Sequence, residues 1–243
     1  MSFLPNFLDG DHRRTHTKPA SVDPTTEDLV RSVRLAADGV SLAGDLVIPA
    51  GAAGVVLFAH GSGSSRRSPR NQFVARTIQT SGIGTLLFDL LSVEEEEEDA
   101  IDGHLRFDIG LLARRLAAAT RWIRQQHETS RLGVGFFGAS TGGAAALVAA
   151  AELGPLVQAV VSRGGRPDLA GPALPHVTAP TLLIVGARDD LVVELNQEAC
   201  AQLRCAKRLN LVPGATHLFA EPGTLEEVAA LAAGWFKRYL KPA

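Results

Sequence analysis

The residues best suited to chemistry in this chain are a serine, a pair of adjacent aspartates and a histidine, in that order. Ser140 stands at the centre of Gly138-Ala139-Ser140-Thr141-Gly142, a G-x-S-x-G pattern. Five small residues are weak evidence alone, and their surroundings strengthen them. An apolar run at 132–137 ends at the first glycine, and an Ala-rich run at 144–151 starts after the last. A strand-to-helix turn this tight strains the backbone of its central residue and lifts the hydroxyl above the sheet edge. The helix that follows offers its positive end to a developing oxyanion. The rival use of such a turn is phosphate binding, but the spacing does not fit G-x-G-x-x-G and the P-loop lysine is missing.

A neutral serine needs a base, and the base needs an orienting acid. Two histidines lie downstream, His176 and His217. His217, in Pro213-Gly214-Ala215-Thr216-His217-Leu218, follows the last apolar run, where a loop reaches back over the sheet edge; it is the expected base. Gly186-Ala187-Arg188-Asp189-Asp190 follows the apolar run 181–185 and offers Asp189 and Asp190 as acids. Position does not separate the two, and the one left over is available to cap the next helix. The loop His60-Gly61-Ser62-Gly63-Ser64-Ser65 is expected to complete an oxyanion hole through the Ser62 N–H, partnered by that of Thr141. His60 is expected to tie this loop down. Arg163 and Arg166 follow the run 157–161 at the same edge, and either could hold a substrate carboxylate or phosphate. The commoner role of such loop arginines is a solvated or ion-paired one. Arg66, Arg67 and Arg70 are expected to form a solvated face.

These residues need a sheet to converge. A hairpin is expected from 31–36 and 40–48 around Asp38-Gly39. Continuous apolar runs at 55–59, 85–88, 132–137, 157–161 and 181–185, with a weaker one at 208–212, read as strands buried on both faces. Helical segments lie between them at 71–79, 105–126, 141–153, 195–203 and 225–239. The alternation predicts an α/β fold with about eight mostly parallel strands flanked by helices. The acidic run 94–99 repels itself and is expected to be a mobile solvated loop, not a metal site. Residues 1–25 read as a polar N-terminal arm, and 26–243 as one domain.

Composition narrows the partners. Charged residues make up 21% and the formal net charge is −2, which favours neither nucleic acid nor an anionic membrane. No signal peptide and no stretch of about 18–20 apolar residues is present, so a cytoplasmic protein is expected. The two cysteines, Cys200 and Cys205, fall on different faces of a predicted helix and are not expected to pair. No metal or organic cofactor is called for. The expected partner is a small-molecule ester, and nothing in the sequence specifies an oligomeric state.

The HGSGSS loop, the GASTGG elbow, GARDDLVV and PGATHLF together resemble the α/β-hydrolase superfamily, most closely its capless dienelactone-hydrolase-like branch. The similarity runs from about 40 to 240. It implies that the acid is Asp189, through G-x-x-D-x-x-V as Gly186, Asp189 and Val192. It also implies no large cap domain, since 162–179 is too short for one, and hence an open site. Dienelactone hydrolases proper carry cysteine at the elbow. Ser140 shifts the expectation to a serine carboxylesterase. The alternatives are the same triad acting on a lactone, thioester, amide or C–C bond, or a non-catalytic hydrolase-fold receptor.

Overall fold

Leu29–Ala37 (β1) and Val40–Ile48 (β2) pair antiparallel in full register, from Leu29 opposite Ile48 to Ala37 opposite Val40. Asp38 and Gly39 both take positive φ, 46° and 82°, as a two-residue hairpin turn with the right twist requires. The remaining strands are Gly54–Ala59 (β3), Gly84–Phe88 (β4), Gly133–Ala139 (β5), Val157–Arg163 (β6), Thr181–Gly186 (β7) and Lys207–Val212 (β8). They form one eight-stranded sheet in the order β1-β2-β4-β3-β5-β6-β7-β8. It is parallel from β4 to β8, and β2 joins β4 antiparallel. The computed structural model describes Met1 and residues 27–242, so the arm read over 1–25 lies, Met1 apart, outside the described residues.

Both faces of the sheet are covered. Ile109–Gln125 (α3), Thr141–Leu153 (α4) and Asp190–Gln202 (α5) pack on one side, and Pro69–Thr80 (α1) and Thr224–Tyr239 (α6) on the other. Burial on both faces explains why β3 to β7 are almost wholly apolar rather than alternating. The chain moves outward from β3 to β4 and then returns to the far side of β3 for β5. The loops leaving β3 and β5 therefore diverge and open a crevice at the C-terminal edge of the sheet, where open α/β sheets bind ligands. The His60–Ser65 loop and Ser140 both lie at this crevice. Among the described residues no helix is long and apolar enough to cross a membrane.

The acidic run is not the loop expected from its charge. It lies in a helix, Val93–Asp102 (α2), that starts with a reciprocal capping box between Ser92 and Glu95. Glu94, Glu95 and Glu96 occupy its first turn, where the helix dipole favours negative charge. Two arginines from beyond the helix offset part of its charge. Arg106 pairs with buried Asp99, whose carboxylate also accepts the N–H groups of Leu105 and Arg106. Arg115 on α3, only 2% exposed, donates to Glu95 at 2.6 Å and to the carbonyl of Ala37. The long helix read from 105 accordingly breaks. A 3₁₀ turn covers Leu105–Phe107, and Asp108 then caps α3 through the Leu111 N–H at 2.8 Å. Arg115 links β1, α2 and α3, so Arg115→Met is expected to cost about 3 kcal/mol, the scale of a buried ion pair deprived of one partner. Urea denaturation of both proteins measures it.

Candidate active site

Ser140 follows the last residue of β5 and precedes the first of α4, with φ 51° and ψ −122°. Non-glycine residues avoid this region, and holding one there costs on the order of 1–3 kcal/mol. The glycines make the turn sterically possible. A Cβ on Gly142 would run into the carbonyls of Ala59 and His60, and one on Gly138 into the carbonyl of Gly142. The Ser140 backbone is fixed on both sides. Its N–H donates to the Arg163 carbonyl at 3.3 Å, and its carbonyl accepts the Arg166 N–H at 3.1 Å.

His217 and Asp189 meet at the neighbouring strand ends. Gly186, ending β7, packs so closely on the Ala215 and Thr216 carbonyls that no side chain fits. The Arg188 N–H donates to the Ala215 carbonyl at 2.9 Å, joining the two loops. Asp189 Oδ2 then lies 2.6 Å from His217 Nδ1. An Asp acceptor there selects the tautomer with the proton on Nδ1 and leaves Nε2 free to accept one. The histidine loop has a clamp that sequence reasoning missed: Glu221 accepts from the Thr216 hydroxyl at 2.7 Å and its N–H at 3.1 Å. These bonds hold the Glu221 carboxyl below its ordinary pKa. Gly164, at φ 50°, packs against this loop: a Cβ on it would sit 3.3 Å from the His217 carbonyl.

The structure separates residues that sequence position left together. Asp189 occupies the position before α5 and faces His217. Asp190 is exposed as the first residue of α5, and the cap position falls to Asp189, whose side chain makes no capping hydrogen bond. His176 is exposed at the end of the 3₁₀ segment Pro167–His176. Ser62 and Thr141 do meet across the crevice, but the Ser62 N–H donates to the Thr141 hydroxyl at 3.0 Å. The Thr141 N–H heads α4 and has no acceptor among the described residues. Arg166 is half-buried and clamps Asp168 through two bonds of 2.9 and 2.7 Å. Arg163 is not solvated and has no ion-pair partner among the described residues: it is 8% exposed and its guanidinium lies 5.8 Å from the Phe219 ring centroid. Arg67 is exposed, whereas Arg66 departs from the solvated face expected of it and pairs with Asp89 and, at 3.4 Å, Asp45. Arg70 is half-buried. Cys200 and Cys205 are both free thiols.

His60 holds the loop beside the site. Its Nε2 accepts the Leu90 N–H at 3.0 Å, and its Nδ1–H reaches the Gly61 carbonyl at 3.0 Å, an arrangement only the neutral ring satisfies. Burial pushes its pKa below the ordinary value. Below about pH 6.5 the unfolded chain therefore takes a proton that the folded one refuses, and stability falls. Thermal unfolding between pH 7.5 and 5.5 is expected to show this loss, by at most about 1.4 kcal/mol per pH unit from this group. His60→Asn is expected to flatten the dependence. His104, whose pKa is raised by Asp102, contributes with the opposite sign in both proteins and cancels in the comparison.

A cavity of about 300 Å³ opens along this loop, lined by residues 60–65 with Leu90, Leu91 and Leu112 as its apolar wall. Glu96, Asp99 and Arg106 close it from the α2 side. Burial raises the Glu96 pKa, helped by the nearby Asp89 and Asp99 charges. Reading α2 as a loop hid this wall, although Ser92-Val93-Glu94-Glu95 is a capping-box pattern visible in the sequence.

The sequence pattern of the dienelactone hydrolase family matches residues 43–241. The chain belongs to the dienelactone hydrolase family. That family falls within the α/β-hydrolase superfamily, and the eight-stranded sheet is its fold. A dienelactone hydrolase from Anabaena variabilis, of known crystal structure, is 60% identical, with a TM-score of 0.87 over 88% of this chain and 100% of that one. The esterase domain of a Rhodothermus marinus protein shares the fold at 22% identity and a TM-score of 0.68, over 87% of this chain and 99% of that one. A Mycobacterium tuberculosis protein named "Putative phosphoribosyl transferase" is 54% identical over 96% of this chain. The chain spans about half the length of that relative, 52%. The family so matched is one of hydrolases.

Proposed function

We propose that the chain is a serine carboxylesterase that cleaves small carboxylic esters through an acyl-enzyme on Ser140. The observation that carries this reading is the backbone of Ser140, held at φ 51° with its hydroxyl at the start of α4. A strained serine at a helix N-terminus, with a pre-oriented histidine on the adjacent loop, is the arrangement acyl transfer needs. Nε2 of His217 takes the hydroxyl proton as Ser140 attacks the ester carbonyl. Asp189 holds the ring and stabilises the imidazolium. The tetrahedral oxyanion is received by the free Thr141 N–H and by the Ser62 N–H, which exchanges its bond to the Thr141 hydroxyl for the stronger one to an anion. His217 returns the proton to the leaving alcohol and then activates water, and hydrolysis of the acyl-enzyme releases the acid. The cavity beside the Ser62 loop accommodates a small apolar group of the ester.

Serine rather than cysteine at the elbow turns the reading from dienelactones to ordinary carboxylic esters, and its hydroxyl needs His217 as base. The names of the Anabaena and Rhodothermus proteins are consistent with ester or lactone cleavage. Phosphoribosyl transfer, the activity in the mycobacterial name, we assign to the half of that protein that this chain does not match. The test is a panel of p-nitrophenyl acetate and butyrate, the corresponding anilides and a dienelactone. Turnover of the esters with little on the anilides is expected; turnover of dienelactone alone would overturn the carboxylesterase reading.

A further inference from the structure

We infer that Asn196 is a positioning residue for the nucleophile: through a single peptide group it fixes the Ser140 carbonyl from α5, the helix headed by Asp189. This role rests on the reading of Ser140 as nucleophile and adds a residue on which its placement depends.

Asn196 is wholly buried, about two turns along α5 from Asp189. The buried stripe of that helix is Val192, Asn196 and Ala199, so an amide stands where the helix otherwise turns apolar groups inward. Its Nδ2 donates to the Gly165 carbonyl at 3.0 Å and to the Val192 carbonyl, one turn back, at 2.8 Å. Two carbonyls on one side admit only the amino end of the amide, which settles its orientation. Its Oδ1 is left buried with no partner among the described residues. An unmet acceptor in the core is costly, and leucine, of similar size, would fill the stripe without that cost. What the amide supplies in return is its donors.

The donor to Gly165 reaches the nucleophile in one step. The Gly165 carbonyl and the Arg166 N–H are opposite ends of one planar peptide group. That N–H donates to the Ser140 carbonyl at 3.1 Å. Asn196, the peptide and Ser140 therefore form a line of hydrogen bonds in which each polarises the next. The peptide belongs to a turn with little stiffness of its own. Gly164 takes φ 50°, and a Cβ on Gly165 would run into Ser162 Oγ, so both positions require glycine. Ser140 keeps its positive φ only while its surroundings over-determine it. The Arg163 carbonyl fixes one side of it and the Arg166 N–H the other. Among the described residues, Asn196 is the side chain that hydrogen-bonds the peptide making the second of these contacts. Because α5 also carries Asp189 at its head, one helix sets both the acid that orients His217 and the peptide that holds Ser140.

The test is Asn196→Leu in the full chain, with steady-state hydrolysis of p-nitrophenyl acetate. We expect kcat to fall by about 10–100-fold, the cost of displacing a reacting group by about 1 Å. KM is expected to stay within about twofold, because no group that binds substrate has been removed. Asn196→Asp has the same size; buried against carbonyls it takes the protonated form and keeps one donor, so its kcat is expected between those of the parent and the leucine variant. It carries the comparison if the leucine variant does not fold. Exchange of the Arg166 N–H, read by NMR, is expected to quicken in both variants, and fluorophosphonate labelling of Ser140 to slow in step with kcat. A melting temperature that moves while kcat per folded chain and the labelling rate keep their parent values would make Asn196 merely structural and overturn the inference. Unchanged Arg166 exchange would overturn it as well. A parent chain that labels at Ser140 but cleaves no ester would count against the carboxylesterase reading alone, and the labelling rates would then decide the role of Asn196.

Discussion

Ser140→Ala is expected to lower kcat for p-nitrophenyl acetate by on the order of 10⁴–10⁶-fold, the scale seen when a hydrolase loses its nucleophile. The fold is expected to survive, because alanine removes only an oxygen and Ser140 Oγ has no hydrogen bond to any described residue. Its φ of 51° is equally unfavourable for either residue, so the strain cancels in the comparison. Circular dichroism and the melting temperature should match those of the parent. Activity lost together with the fold would say nothing of chemistry; activity kept with the fold intact would exclude Ser140.

The second large effect discriminates between adjacent acids. Asp189→Asn is expected to cost on the order of 10³–10⁴-fold in kcat, since an amide at this position stabilises the wrong tautomer and no longer balances the imidazolium. Asp190→Asn is expected to change kcat by less than about threefold, because an exposed acid in the first turn of a helix interacts weakly with the dipole alone. The basis is the 2.6 Å contact from Asp189 to His217 Nδ1 and the exposure of Asp190. Steady-state kinetics of both variants over the same pH range makes the comparison.

The sheet was legible because β3 to β7 are buried on both faces and therefore appear as unbroken apolar runs. The elbow was legible because its glycines answer steric demands that lie within a few residues. What escaped depended on partners far apart in the chain. The acidic run reads as self-repelling until Arg106 and Arg115 are beside it, and only the capping box at Ser92 announces a helix locally. Asp189 and Asp190 are equivalent by position; the pairing of the β7 and β8 loops distinguishes them. Arg163 looks like a loop arginine in sequence, because β6 outlasts its apolar run by two residues and carries the side chain inward. That it has no acid partner among the described residues becomes visible only in three dimensions.

The most direct test of Ser140 as the nucleophile is covalent labelling of the folded protein with a fluorophosphonate, followed by peptide mass spectrometry. One adduct per chain on the peptide containing Ser140, absent in Ser140→Ala and strongly slowed in His217→Ala, is the result expected. Folded protein that remains unlabelled, or that is labelled at another residue, would contradict it.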